Sequence, residues 1–289
     1  MPRESETQNR LLKLLTSKLP HTYLGSLQGR ENGNVIVPLL EKYLRGRGCR
    51  VVGEGQSEGP PNESLISRAI DRLRNTADNP IGTLLDRNKA VYQLLRYGVP
   101  LKPAPGQPTE TVHLIDWEAA VNNDFYLAEE VSLPGGKHNK RPDVVVYVNG
   151  IALAVLELKS GHVSLEDGIG QSIRNQEPDF IEGFFPTIQL VLAGNDSQGL
   201  RYGTIGTKRK WFLEWKENEE DASTYKLDKH LLQLLEPVRF IELMRDFVLF
   251  DGKIKKLPRP HQYFGIKAAQ DYVKRHEGGI IWQDRKSVV

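Results

Sequence analysis

Disulfide chemistry is closed to this sequence of 289 residues, which has a single cysteine, Cys49. One thiol can neither close an internal bridge nor anchor a zinc cluster. Long apolar runs are missing as well, since no stretch approaches the roughly 18 residues that span a bilayer. The N-terminal stretch MPRESETQNRLLKLLTSK is charged and amphipathic, without the apolar segment and small-residue cleavage site of a secretion signal. These absences lead to the expectation of a cytoplasmic chain with no membrane role. An excess of one charge is also lacking: 39 Lys and Arg against 37 Asp and Glu leave a net +2, too little to identify a nucleic-acid binder. There is no internal repeat and no low-complexity tract.

Hydrophobic residues make up 39% and charged residues 26%, the balance of a globular chain that buries a core. The length suits one large domain, or one with part of a second. The cations cluster. Residues 252–276 hold Lys253, Lys255, Lys256, Arg259, Lys267, Lys274 and Arg275 against the single acid Asp271. Arg201, Lys208, Arg209 and Lys210 interleave with Tyr202, Trp211 and Trp215. Cations beside aromatics can neutralise phosphates and stack on bases, or simply form a solvated surface.

Hydrophobic spacing predicts helices over 5–19, 34–45, 63–75 and 86–97, the second and third separated by the loop GEGQSEGPPNES. From 99 to 160 the period changes. TVHLIDW, DFYLAEEVSL, DVVVYV and IALAVLELK are short runs rich in β-branched and aromatic residues, bounded by Pro, Gly and Asn. A polar helix near 164–183, a strand at 187–194, a strand pair near 200–215, an acidic loop at 216–221 and a long helix over 228–249 complete the expectation. Gly252 to Pro260 reads as a linker, followed by one helix and the first strand of something else. The fold class is α/β, a mostly central mixed sheet with helices on both sides.

The chemistry concentrates in RPDVVVYVNGIALAVLELKS, residues 141–160. Asn149-Gly150 is a strong hairpin signal. The strand after it is apolar on both faces until Glu157 and Lys159, which a period of two sets on one face. Charges this close to a buried strand are costly unless paired or bound to a metal. Asp143, after Pro142, is the companion carboxylate. Two carboxylates can hold a hard divalent ion by its oxygens, and the ion with the lysine can activate water against a phosphodiester. The alternative is a structural ion pair of Glu157 with Lys159 or Arg141. Register bears on the choice: a strict two-residue loop sets Asp143 opposite Leu156, facing away from Glu157. A three-residue loop at 148–150, with Gly150 in a bulge, pairs Asp143 with Val155 and gathers all three residues on one face. A bulged turn, or an equivalent irregularity in one strand, is therefore expected.

This segment closely resembles the nuclease motif in the restriction (R) subunit of type I restriction-modification enzymes, a PD-(D/E)xK core split by an Asn-Gly hairpin. The resemblance extends upstream to GVPLKPAPGQPTETVHLIDWEAAVNNDFYLAEE (98–130). Downstream, GQSIRNQ (170–176) stands where the family carries Gln-x-x-x-Tyr, and RPHQYFGIKAA (259–269) looks like the adenine-sensing motif that opens the helicase-like motor. It implies a restriction-endonuclease-like core over 1–250 and the start of a RecA-like motor from 251 to 289. It further implies Asp143 and Glu157 as ligands of Mg²⁺ (or Mn²⁺ in its place), Lys159 as the catalytic lysine, and Gln171 as the glutamine that helps place DNA or active-site groups. The tyrosine position is Asn175, a departure from the family pattern. Glu6 or His21 could supply a further acid or histidine, as relatives of this nuclease class sometimes add one from the N-terminal region, but each reads first as a surface residue, and His162 likewise reads as incidental. Gln262 and Arg259 would read the adenine of ATP in the complete motor.

Beyond GGIIW (278–282) the family continues into a Gly-rich phosphate loop, whereas here QDRKSVV follows. At the Gly-x4-Gly-Lys-Ser spacing set by Lys286-Ser287, the glycine positions hold Ile280 and Arg285, so backbone wrapping of a phosphate is not expected. The chain is read as the N-terminal piece of a longer polypeptide, without ATPase or translocation activity of its own. In the complete enzyme the resemblance implies partners in double-stranded DNA and in methyltransferase and specificity subunits. Two other classes remain open: a binding-only domain of the same fold, and a stand-alone nuclease without such partners.

Overall fold

A leucine spacing of three and four gives the first helix, α1 (Glu4–Lys18), its buried stripe of Leu11, Leu12 and Leu15. In the computed structural model, which describes residues 4–29, 32–46, 62–217 and 225–280, it leads into strand β1 (His21–Ser26). Then come α2 (Val37–Gly46), α3 (Glu63–Ala77) and α4 (Leu84–Tyr97), the small hairpin β2 (Val99–Leu101) and β3 (Glu110–Val112), and strands β4 (Phe125–Glu129), β5 (Val144–Val148) and β6 (Ile151–Leu158). After α5 (Leu165–Arg174) the chain forms β7 (Leu190–Asn195), β8 (Gly199–Gly203) and β9 (Leu213–Glu214), then α6 (Lys226–Leu234), α7 (Pro237–Asp246), β10 (Leu249–Asp251), β11 (Ile254–Lys256) and α8 (Pro260–Lys274). Cys49, most of the loop 53–64, positions 218–221 of the acidic loop and the stretch 281–289 with Arg285, Lys286 and Ser287 lie outside the described residues. No described helix is long and apolar enough to cross a membrane.

The central sheet has seven strands in the order β1-β4-β5-β6-β7-β8-β9. It is mixed: β1 runs parallel to β4 and β6 to β7, and the other neighbours are antiparallel. One face buries the apolar stripes of α1, α2, α3, α4, α6 and α7. The opposite face is covered by α5 together with Ile181, Phe184, Phe185 and Ile188 of the loop that follows it. Strands β5 and β6 are buried along their whole length because both faces are covered. The α/β expectation thus holds in its layers.

Several local expectations change. The long helix over 228–249 breaks into α6 and α7 because Pro237 cannot continue a helix but suits a first turn, where Glu236 caps the Arg239 N–H at 2.8 Å. The helix near 164–183 stops at Arg174, and TVHLIDW yields only the three-residue β3. The stretch expected as a linker is instead the antiparallel hairpin β10–β11, with Lys255 buried. Strand β1 was not expected, for its burial does not alternate.

The register that matters most is set in β6. Asn149 and Gly150 both take positive φ, 54° and 87°, as a two-residue type I′ loop requires, so Val148 pairs with Ile151. The ladder then slips, with Tyr147 opposite Ala152 but Val146 opposite Ala154. Leu153 is the extra residue of a bulge. The bulged turn at Gly150 is therefore corrected to the other arrangement foreseen, an irregularity within a strand. Val144 faces Leu156, and one step further Asp143 stands across from Glu157, not Val155. The bulge falls where β6 changes neighbour. Before it, Val35 bridges Ile151, and the Ile36 and Ala152 N–H groups donate to the Gly150 and Asn34 carbonyls at 2.7 and 2.9 Å. After it, β7 pairs in parallel from Ala154 onward, and the Gln189 N–H donates to the Leu153 carbonyl at 2.8 Å.

The turn is tied down as tightly. Asn149 is fully buried, accepts from the Asp124 N–H at 2.8 Å and donates to the Leu114 carbonyl at 3.0 Å. A Cβ at Gly150 would lie 2.7 Å from the Ile36 carbonyl oxygen and 2.9 Å from the Leu40 nitrogen. Gly150→Ala is expected to lower unfolding stability by about 2–3 kcal/mol through strain and backbone clash. Urea unfolding checks this, and a loss under ~0.5 kcal/mol would contradict the described turn.

Candidate active site

Asp143, Glu157 and Lys159 come together at one end of the β5–β6 ladder, on the face covered by α5. The bulge is what achieves it, since without the extra residue Glu157 would point to the opposite face. Asp143 Oδ2 accepts the Leu158 N–H at 2.6 Å, which locks the aspartate against the end of β6. Glu157 is 1% exposed. Its two oxygens are held from α5: Gln171 Nε2 donates to Oε2 at 2.7 Å and Asn175 Nδ2 to Oε1 at 2.9 Å. The side chain that departs from the family pattern thus shares with Gln171 the task of orienting Glu157. Residues four apart lie on one helix face, so this pairing was available from the spacing. Lys159 Nζ donates to the Leu158 carbonyl at 2.7 Å and lies 3.7 Å from Glu4 of α1.

The helix must come close for these contacts, and small residues allow it. A Cβ at Gly168 would sit 3.3 Å from Lys159 Cγ, and one at Gly170 only 2.6 Å from a guanidinium nitrogen of Arg209. Glycine in a helix interior costs roughly 1 kcal/mol relative to alanine, offset here by close packing against the site.

Burial dominates the electrostatics. It pushes the Asp143 carboxyl up from 3.8 to about 6, against the lowering influence of the Leu158 N–H and of Lys159. Glu157 is driven well above the ordinary carboxylate range, first by burial and then by the charge of Asp143. Two carboxylates that repel in a dry setting favour either a retained proton or a cation. An oxygen-only pair suits a hard divalent ion such as Mg²⁺, which keeps several waters and needs one or two carboxylates. Among the described residues no group of three or more His, Cys, Asp or Glu is placed to hold a metal, so water and phosphate oxygens would complete the shell. Asn175 Oδ1, buried beside Glu157, has no donor among the described residues, the kind of partner a metal-bound water supplies.

The other candidates fall elsewhere. Glu6 is exposed, and the acid that α1 brings toward Lys159 is Glu4. His21 is buried against Phe125, with its ring centroid 5.4 Å away, and burial lowers its pKa to about 4, so it is a neutral core residue. His162 is exposed. Of the basic-aromatic group, Tyr202 and Trp215 are buried in the core and Arg201 pairs with Glu214 at 3.5 Å. Lys208, Arg209, Lys210 and Trp211 form an exposed ridge beside α5, with Arg209 resting on Gly170 next to Gln171. Gln262 and Arg259 sit together at the start of α8, where Gln262 Oε1 accepts the Arg259 N–H at 2.9 Å. Both line a cleft of about 500 Å³ with Thr204, Lys208, Trp211 and Lys256.

Known proteins resemble this chain in sequence. The Haemophilus influenzae type I restriction enzyme HindI endonuclease subunit is 30% identical over 250 residues, 78% of this chain and 24% of that protein. A Methanocaldococcus jannaschii relative bearing the MjaIXP endonuclease subunit name is 26% identical over 236 residues, 72% of this chain and 22% of its own. A second from that organism, MjaVIIIP, is 22% identical over 294 residues, 92% of this chain and 26% of its own. The chain thus spans about a quarter of the length of these curated relatives. Residues 2–211 match the family described as type I restriction enzyme R protein N terminus, and the chain belongs to that family.

Proposed function

We propose that this N-terminal region of a type I restriction enzyme endonuclease subunit carries a Mg²⁺-dependent DNA endonuclease site in a PD-(D/E)xK core ending near residue 250. The observation that carries the reading is the buried opposition of Asp143 and Glu157 with Lys159 alongside. When bound, a divalent ion supplies Lewis-acid polarisation of the phosphate and a lower pKa for its water. Asp143 and Glu157 would hold that ion, Gln171 and Asn175 fix the orientation of Glu157, and Lys159 places positive charge where it can steady the attacking water or the developing phosphate charge. Glu4 is positioned to hold Lys159 when no substrate is present.

Double-stranded DNA is the proposed substrate, with the ridge Lys208–Trp211 gripping its backbone next to the carboxylates. The segment from about 251 onward is proposed to lead into the ATP-driven motor, where Gln262 and Arg259 would meet adenine. Methyltransferase and specificity subunits are the proposed partners of the assembled enzyme, and reading of the DNA sequence belongs to the latter.

Three results are expected. In the assembled enzyme with Mg²⁺, Asp143→Ala, Glu157→Ala or Lys159→Ala lowers DNA cleavage by about 10²-fold or more while DNA retention persists. Cleavage within a few-fold of wild type in any of the three would remove that residue from the proposed mechanism.

The second concerns pH. A carboxyl whose pKa is raised on folding binds its proton more tightly in the native state, so its stabilising contribution is complete below the unfolded value and is lost as pH rises through the folded one. For Asp143 the window runs from 3.8 to about 6. Asp143→Asn keeps an acceptor for the Leu158 N–H, and without metal it should stabilise the fold by about 1–3 kcal/mol at pH 8 and far less at pH 4. Equal effects at the two pH values would contradict the buried repulsion.

The third concerns salt. Replacing Lys208, Arg209 and Lys210 together by Ala should weaken DNA binding and reduce the slope of log K against log salt by about two to three. An unchanged slope would place the DNA elsewhere.

A further inference from the structure

Lys255, in the middle of β11, is 3% exposed. Its Nζ donates to Asn88 Oδ1 of α4 at 2.9 Å and to Gln189 Oε1 at 2.5 Å, with the rings of Tyr92 and Phe250 at 6.0 and 5.5 Å. No carboxylate forms an ion pair with it among the described residues. Burial of a lysine without a counter-charge is costly, and a methionine would fill the same space more cheaply. What offsets that cost is the pair of side-chain oxygens the amine holds.

What it holds is the segment leading into β7. Asn88 donates in addition to the carbonyls of Pro186 and Ile188 at 3.0 and 2.8 Å, and Thr204 donates to the Gln189 carbonyl at 2.7 Å. The Gln189 N–H, in turn, is the donor to the Leu153 carbonyl at the β6 bulge. A continuous path of hydrogen bonds thus runs from the β10–β11 hairpin to the residue whose insertion decides which face Glu157 occupies.

We propose that Lys255 is a positioning residue for the nuclease site, and that the β10–β11 hairpin is the latch it closes. Docked through Lys255, the hairpin keeps Gln189 under Leu153 and so maintains the register that sets Glu157 across from Asp143. The hairpin lies immediately before α8, which places the latch at the junction between the main sheet and that helix. The part of the proposal that concerns catalysis rests on the nuclease reading above, whereas the latch itself is tested independently of it.

The experiment compares wild type, Lys255→Met and the exposed control Lys253→Met, following amide hydrogen exchange at Gln189 and Ala154 and titrating Mn²⁺ by calorimetry. Lys255→Met should speed exchange at Gln189 by about tenfold or more and weaken Mn²⁺ by about fivefold or more, with Lys253→Met unchanged in both. Unchanged exchange at Gln189 in Lys255→Met overturns the latch. Faster exchange with undiminished Mn²⁺ affinity overturns its link to the site. If wild type itself binds no Mn²⁺, the nuclease reading fails, and the exchange rates still decide the latch. Should Lys255→Met not fold, Gln189→Leu, which removes the link between Lys255 and this segment while leaving the bond to Asn88, replaces it and is held to the same two outcomes at the residue 189 amide.

Discussion

Two carboxylates that face one another across a buried pair of strands repel, and much of this structure exists to hold them there. The bulge at Leu153 creates the opposition by moving Glu157 onto the face of Asp143. Burial then prevents water from screening it, which is why both groups bind protons more tightly than free carboxylates do. Such an arrangement costs stability in the absence of a cation. A divalent charge between the two would offset that repulsion, which is the physical basis of the proposed metal site.

The surrounding elements limit the freedom of that pair. Helix α5 approaches closely enough for Gln171 and Asn175 to grip both oxygens of Glu157, and Gly168 makes room for the Lys159 stem. Asp143 is fixed by a backbone donor from the strand that bears its partner. On the far side of the bulge, the segment before β7 is held by α4, by Thr204 just after β8 and by the hairpin that follows the main sheet. The carboxylates are thereby positioned by rigid elements, and the exposed ridge Lys208–Trp211 lies next to α5 where a phosphate backbone could be held.

Much of this was legible in residues 141–160. Asn149-Gly150 announced the hairpin, the apolar run 151–156 announced burial on both faces, and the spacing of Glu157 and Lys159 put them on one side. The need for an irregularity was legible too, because Asp143 could not otherwise join them. Its location was not, for it depends on where β6 exchanges Val35 for β7 as its neighbour, a tertiary event with no local signal. Glu4 was missed in favour of Glu6 because a two-residue step on a helix turns about 200°, and helix phase cannot be read to that accuracy from sequence. Lys255 was hidden by its company: one lysine among many in a basic stretch reads as solvent-facing, and only the folded hairpin turns it inward.

The central claim is that Asp143 and Glu157 form one divalent-metal site, and calorimetric titration of Mg²⁺ or Mn²⁺ tests it most directly. Wild type should bind at pH 8, where the competing proton is most easily released, and Asp143→Ala and Glu157→Ala should each abolish binding. No binding by wild type, with or without a DNA duplex, would make the two acids structural and leave a binding-only domain as the better account.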